Sequence, residues 1–474
     1  MISFTEKEYA GGVFDYFLEF SKIPHCSHNT APIAEYLTDF AKKHGLTYIR
    51  DKADNVIIKK PATAGYESRP TVIIQGHTDM VADKLPELDK DMRTEGIEIY
   101  RDGDWLRARG TTLGGDDGVA MAYALALLAS TDIPHPAIEA VFTSNEEVGL
   151  LGAAALDCSV LEGRIMINVD SDEEGIFTVG CAGGGRVDTK LPITKAPASG
   201  KAYCLHVSGL LGGHSGVEIG KNRTNATKAG TDILSALGNI RIFALHGGNM
   251  DNAIPREFVA RFTTEEDITG AFAAARDKEI AAAIAYEPNI TVTLTEEQTP
   301  ALALDENSSK AALSLFRATH TGVIAMSADI EGLVESSQNI GIVRLDENYL
   351  SLTVSVRSSK RDAKRAIIDK LFETAKAHGA EVSLRGEYPA WEYKPVSHLR
   401  DVATRVWRDM YGKDAEVIAI HAGLECGIFS DAMPGLDCIS LGPDNRDIHT
   451  TEEHLSISST VRVWEFLLEV LKQI

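Results

Sequence analysis

The sequence predicts an α/β protein with a mostly parallel central sheet, split by an inserted α+β domain. Three observations predict this. Apolar, β-favouring runs alternate with helix-periodic stretches through about residue 170. Several of those runs stop at histidines or carboxylates, as strands do when a parallel sheet carries its site at their carboxyl ends. Around Gly183-Gly-Gly-Arg186 the texture changes, and helix-strand alternation of the first kind returns only from Pro389 onward. The expected division is 1–186 for the first part of the split domain, 187–387 for the insert and 388–474 for the second part.

The totals agree with a soluble enzyme-sized chain. At 474 residues it is long for one hydrophobic core, so two domains are the default. A net charge of -22 argues against nucleic acid or an anionic membrane, since neutralising phosphate needs a basic face. The six cysteines are scattered and form no C-x-x-C, which fits free thiols in a reducing compartment. With no apolar leader and no apolar run long enough for a bilayer, the expected location is the cytoplasm.

Taken in order, residues 6–20 and 30–44 have helical spacing, with Gly45 as a stop. The Ile23-Pro-His-Cys-Ser-His28 segment between them reads as a loop with capping side chains rather than a metal site. Thr71-Val-Ile-Ile74 reads as a buried strand whose run Gly76 ends, and just beyond it His77 and Asp79 stand two apart, pointing the same way in extended chain. The stretch to Arg109 reads as irregular and charged. Gly110-Thr-Thr-Leu-Gly-Gly-Asp116-Asp117-Gly118 leads into a buried helix from Val119 to Ser130. A glycine-rich turn before a helix can cradle phosphate, but two carboxylates here suit a cation instead. Strand Ile138–Thr143 stops at Ser144-Asn-Glu146-Glu147, and strand Arg164–Val169 runs into Asp170.

In the insert, helices are expected over 226–237, 270–285 and 361–378, and strands over 202–207, 289–294 and 349–357. Gly212-Gly-His214-Ser-Gly216 lacks the Gly-x-Ser-x-Gly frame of a nucleophile elbow. After the insert, strands at 415–420 and 437–441 precede a polar loop with His449, and helix 458–471 closes the chain.

Together the strand ends supply two histidines and three carboxylates as ligands, with Asp79 and Glu146 left over. Nitrogen and oxygen donors without thiolate suit zinc, manganese or cobalt, and a metal pair needs a bridging carboxylate. The expected partition is His77 and Asp170 on one ion, Glu147 and His449 on the other, and Asp116 on both. Water between two such cations has a depressed pKa, and Glu146 is placed to take its proton as general base. Asp79 is the expected carboxylate support for the His77 imidazole.

His77-Thr-Asp79, Gly114-Gly-Asp-Asp-Gly118, Asn145-Glu-Glu-Val-Gly149, Asp170 and His449 resemble the signature of the co-catalytic zinc exopeptidases. That family includes aminoacylases and the carboxypeptidase G, peptidase T and peptidase V types. Gln75–Met80, Gly110–Gly114, Asn252-Ala-Ile-Pro-Arg256 and His421-Ala-Gly-Leu-Glu-Cys-Gly427 most resemble its aminoacyl-histidine dipeptidases, also called peptidase D or β-alanyl-histidine dipeptidases. The resemblance implies a catalytic domain split by a lid domain that also dimerises, giving a homodimer. It implies two zinc ions per subunit, with cobalt or manganese as substitutes, and a small peptide substrate. It implies that His214 reaches a neighbouring subunit's site to stabilise the oxyanion, and that Asn252, Arg357 and the Gly423 backbone hold the substrate's carboxylate side. The expected activity is hydrolysis of dipeptides, above all Xaa-His including β-alanyl-histidine, by metal-bridged hydroxide attack; the alternative is a tripeptidase or an N-acyl-amino-acid deacylase. Two departures stand out. The family usually has Asp-Asn where this chain has Asp116-Asp117, and its His-Ser-Pro-Asp-Glu appears here as His449-Thr-Thr-Glu-Glu453.

Overall fold

Four mutually parallel strands form the centre of the first unit: Ile138–Thr143, Val72–His77, Ile165–Asn168 and Asp437–Ser440, adjacent in that order. The computed structural model describes residues 2–474. The strands form because they are continuous apolar runs, buried on both faces as parallel strands require. Antiparallel strands Val56–Lys60 and Thr47–Arg50 extend one side, and Ile176–Cys181 with Glu416–Ile420 completes an eight-stranded sheet on the other. The four parallel strands all point their carboxyl ends to one edge, where the candidate residues follow.

Helix Gly115–Ala129 is buried from Asp117 to Leu128 and packs on strand Val72–His77. Gly76 makes that approach possible. A Cβ there would stand 2.2 Å from the Ala120 Cβ and 2.3 Å from Asp117 Oδ2. Phe17 and Phe20 close on the helix at Gly118, and Tyr123 donates to the Thr460 carbonyl at 2.7 Å.

Two local expectations are revised. The first helix spans Val13–Phe20 and not the stretch from residue 6, because Gly11 and Gly12 take positive φ of 63° and 90°. The stretch read as irregular contains a hairpin, Ile99–Asp102 with Trp105–Ala108. This hairpin pairs through Trp105–Ala108 with His454–Ser456, which pairs in turn with Asn445–Arg446. The loop carrying His449 is therefore held at both ends by strand pairing.

The chain divides into two units: one up to Gly180 with Tyr393–Ala419 and Leu424–Ile474, the other Cys181–Glu392 with Ile420–Gly423. The second unit is an antiparallel nine-stranded sheet with helices Ala226–Ser235 and Arg361–Ala377 packed on it, around its own apolar core. Strands Lys201–Ser208, Thr291–Glu297 and Tyr349–Ser358 lie where the sequence expected them, within a few residues. Strand Gly183–Pro192 was hidden by its opening glycines. They are needed because Tyr388 crosses them: a Cβ on Gly184 would stand 2.6 Å from the Tyr388 hydroxyl.

Candidate metal centre

His77 ends its strand with the ring buried, and its Nε2 lies 3.0 Å from Asp116 Oδ1 and 4.0 Å from Asp170 Oδ1. On the far side of Asp116, His449 Nε2 lies 3.0 Å from Asp116 Oδ2 and 3.0 Å from Glu147 Oε1. Asp116 thus turns one oxygen to each imidazole. Ligand atoms of His77, Asp116 and Asp170 fall within 4.8 Å of one another, and so do those of Asp116, Glu147 and His449. A third group of the same tightness joins His77, Glu146 and Glu147. The structure brings the five sequence-nominated ligand residues and Glu146 into one cluster.

The donor set fits a pair of divalent cations. Glu147 Oε1 is buried and makes no hydrogen bond although His449 Nε2 is 3.0 Å away. The two atoms are close without being aligned on each other, the arrangement of donors that face a common ion. Two imidazoles and three carboxylates without thiolate suit borderline divalent metals.

Burial and the mutual charges of these groups set their affinities for protons. Burial disfavours a charge on His77, but Asp116, with Asp170 and Glu146, outweighs it and raises the imidazole well above its usual value. Hydrogen bonding to Asp116, with the Glu147 carboxylate beside it, raises His449 to about 10. Burial opposes ionisation of Asp116 as well, yet hydrogen bonds from His449 and His77 hold it well below the carboxylate range. Burial pushes Glu146 up to about 8 despite the neighbouring His77.

Asp117 has the opposite surroundings. It is 1 % exposed, burial lifts its carboxyl well above the usual range, and Oδ2 accepts the His77 main-chain N–H at 3.0 Å. Lifted towards its neutral form, this carboxyl keeps the shape and the acceptor of an asparagine.

Asp79 does something other than the spacing implied. His77 Nδ1 meets the Asp79 main-chain oxygen at 2.8 Å, while the carboxylate is 3.7 Å away. The strand ends at His77, so the extended alternation that would have aligned the two side chains stops there. The carboxylate instead accepts from the main-chain N–H groups of Glu146 at 2.9 Å and Glu147 at 3.4 Å, and from Ser27 Oγ at 2.7 Å. It fixes the turn that presents both glutamates.

Two further carboxylates were not singled out by the sequence reading. Buried Glu453 accepts from the N–H groups of Leu113 (2.7 Å), Gly114 (3.0 Å), Gly115 (2.8 Å) and Asp116 (3.3 Å). It caps the helix start and clasps the loop that presents Asp116. Buried Glu425 accepts from Gln75 Nε2 and Thr143 Oγ1, each at 2.6 Å, and Gln75 Oε1 accepts from Asn168 Nδ2 at 2.6 Å. This chain of bonds joins the ends of the three strands that lead to His77, Glu146 and Asp170. A clue for Glu453 lay in the sequence, since it follows His449 by four residues within the segment that departs from the family pattern.

In the second unit, Arg357 donates through Nη1 to the Tyr388 hydroxyl at 2.9 Å and through Nη2 to His214 Nε2 at 3.3 Å. Burial, then Arg357 and Arg186, draw His214 down to about 4, leaving the ring neutral. The Asn252 carbonyl accepts from Ser215 beside His214, and Gly423 lies under the Tyr388 ring, where a Cβ would come within 2.8 Å. The four residues nominated for substrate binding are therefore linked within this unit.

The chain matches the family model for peptidase family M20/M25/M40 over residues 73–473. It is 35 % identical to the cytosol non-specific dipeptidase of Escherichia coli (strain K12), over 98 % of this chain and 97 % of that one. Its structure is similar to that of the aminoacylhistidine dipeptidase of Vibrio alginolyticus, with a TM-score of 0.91 and 32 % identity over 98 % and 96 % of the two chains. Aminopeptidase PepT of Bacillus cereus ATCC 10987, at TM-score 0.58 and 17 % identity over 98 % of each chain, shares the fold. A family match over most of the length, together with these identities, settles the relationship: the chain belongs to peptidase family M20/M25/M40.

Proposed function

We propose that the protein is a two-metal dipeptidase acting on unsubstituted dipeptides, with Xaa-His substrates, β-alanyl-histidine among them, as its first candidates. One observation carries the reading: Asp116 offers one oxygen to the His77 side and the other to the His449 side, each 3.0 Å from an imidazole nitrogen. Asp116 would thus be within reach of two ions, one held with His77 and Asp170 and the other with Glu147 and His449. The names of its relatives, a non-specific dipeptidase and an aminoacylhistidine dipeptidase, support the substrate class.

Bound metal ions supply Lewis acidity, polarising the scissile carbonyl and acidifying the attacking water. Glu146 takes that water's proton and returns it to the leaving amine. Burial among the ligand residues raises its carboxyl to about 8, which suits it to take up and release a proton near neutral pH. Asp79 holds Glu146 in place through the main chain. The substrate's carboxylate side is assigned to Asn252, Arg357 and the Gly423 backbone, and stabilisation of the oxyanion to the partner subunit's His214.

Zinc is the proposed metal, with cobalt or manganese as substitutes, and the working form is a cytoplasmic homodimer; metal content and sedimentation of the purified chain test the first and last of these. A panel of free dipeptides, tripeptides and N-acetylated amino acids tests the activity. The reading expects the free dipeptides to be hydrolysed fastest. Preferential cleavage of tripeptides or of N-acetylated substrates would replace it with a tripeptidase or a deacylase.

A further inference from the structure

A cavity of about 660 Å³ opens beside Glu147, within the same unit as the metal-ligand groups. Met80, Val81, Ala82, Met92 and Val148 give it an apolar lining, and Val148, next in sequence to Glu147, is 41 % exposed. Its floor is fixed by main-chain pairing of Cys26 with Met80: Met80 N–H donates to the His25 carbonyl at 3.3 Å, and Ser27 N–H to the Met80 carbonyl at 3.4 Å. Its wall, residues 84–93, is fastened from within. Lys84 Nζ donates to the carbonyls of Leu88 (2.9 Å) and Lys90 (2.6 Å), and Lys90 Nζ donates to the Gly96 carbonyl. Both ammonium groups are thus spent on main-chain carbonyls; Asp91 and Arg93 also line the cavity, the Asp91 carboxylate accepting the Arg93 main-chain N–H at 2.9 Å. The result is a pre-formed hollow of ligand-binding size, apolar over much of its lining, that begins at a metal-ligand carboxylate.

The scissile carbonyl of a dipeptide belongs to its N-terminal residue. With that carbonyl at the metal pair, the N-terminal side chain branches from the adjacent carbon, while the C-terminal carboxylate is assigned to Asn252 and Arg357. We propose that this cavity is the binding site for the side chain of the N-terminal residue and selects uncharged, apolar side chains. The assignment rests on the dipeptidase reading and deepens it. Binding strength then comes from burying apolar surface against Met80, Met92 and Val148. It follows that β-alanyl-histidine and Gly-His, which have no side chain there, are poorer substrates than Leu-His or Met-His.

The test is kcat/KM of the metal-loaded protein on Gly-His, Ala-His, Leu-His, Met-His and Asp-His, repeated with Ala82→Trp, which fills the cavity from an exposed position. The wild type should show a rise of about tenfold or more from Gly-His to Leu-His, the scale at which a hydrophobic pocket discriminates, and low activity on Asp-His. Ala82→Trp should lower Leu-His and Met-His turnover about tenfold more than it lowers Gly-His turnover. The side-chain series needs no variant, so a misfolded Ala82→Trp leaves the proposal exposed to disproof. A flat series, a preference for Asp-His, or an equal loss on all substrates in a folded Ala82→Trp protein overturns the pocket assignment while the dipeptidase reading stands. Wild-type protein that cleaves none of these dipeptides overturns the dipeptidase reading and takes the pocket with it.

Discussion

Asp116 and Asp117 are neighbours in sequence with opposite electrostatic surroundings. Asp116 lies between two imidazoles that hold it ionised, and Asp117 is buried, lifted towards its neutral form, and accepts one main-chain hydrogen bond. The same substitution should therefore give different outcomes at the two positions. Asp117→Asn keeps an acceptor for His77 N–H and removes no needed charge, so kcat/KM should fall by no more than about tenfold, the low end for an outer partner of a metal site. Asp116→Asn removes the charge both ligand groups share, and the loss should exceed about a hundredfold, with metal released. Steady-state kinetics beside metal analysis of both variants checks this, and equal losses would mean that Asp117 has a role of its own. Asp79 teaches a related lesson. Its spacing from His77 was legible, but its work is done on the backbone of Glu146 and Glu147, which no spacing rule reveals.

At the scale of elements, what was legible were the continuous apolar runs. Val72–His77 and Ile138–Thr143 could be read because strands buried on both faces have no reason to alternate. The hairpin at 99–108 could not, because Arg101, Asp102 and Arg107 interrupt four-residue strands that leave no apolar pattern. The sequence marked Glu453 only by its place after His449; its clasp was hidden, since its partners are four main-chain N–H groups and the main chain has no letter in a sequence. Its clasp makes the helix start and the Asp116 loop one piece with the loop that carries His449. Glu453→Ala should cost about 1–3 kcal/mol of unfolding free energy by leaving buried donors unpaired, and should weaken metal binding by about 10–100-fold. Denaturant unfolding and competition with a chelating dye measure the two effects. Unchanged metal affinity would show that Asp116 is held in place by its own turn.

At the scale of the molecule, the strand ends that gave the sequence its signature are the ends of four adjacent parallel strands, and a fold that gathers those ends gathers the ligands with them. The net charge of -22 plays no part in that geometry, and its value lay in the partners it argued against. The fold class was readable because it follows from patterning, and the ligands because each is a chemically distinctive residue at a strand end. The roles of Gln75, Glu425 and Gly184 were not, because each serves a neighbour far away in the chain. The ligand residues and Glu146 thus have separate tasks, metal binding and proton transfer. Glu146→Gln removes the base and keeps its shape, so dipeptide turnover and metal content of this one variant, measured together, test that separation directly. The variant should hold as much metal as the wild type, expected at about two ions per chain, with kcat lowered by about 10²–10⁴-fold; turnover close to wild type at full metal content would show that Glu146 is not the base.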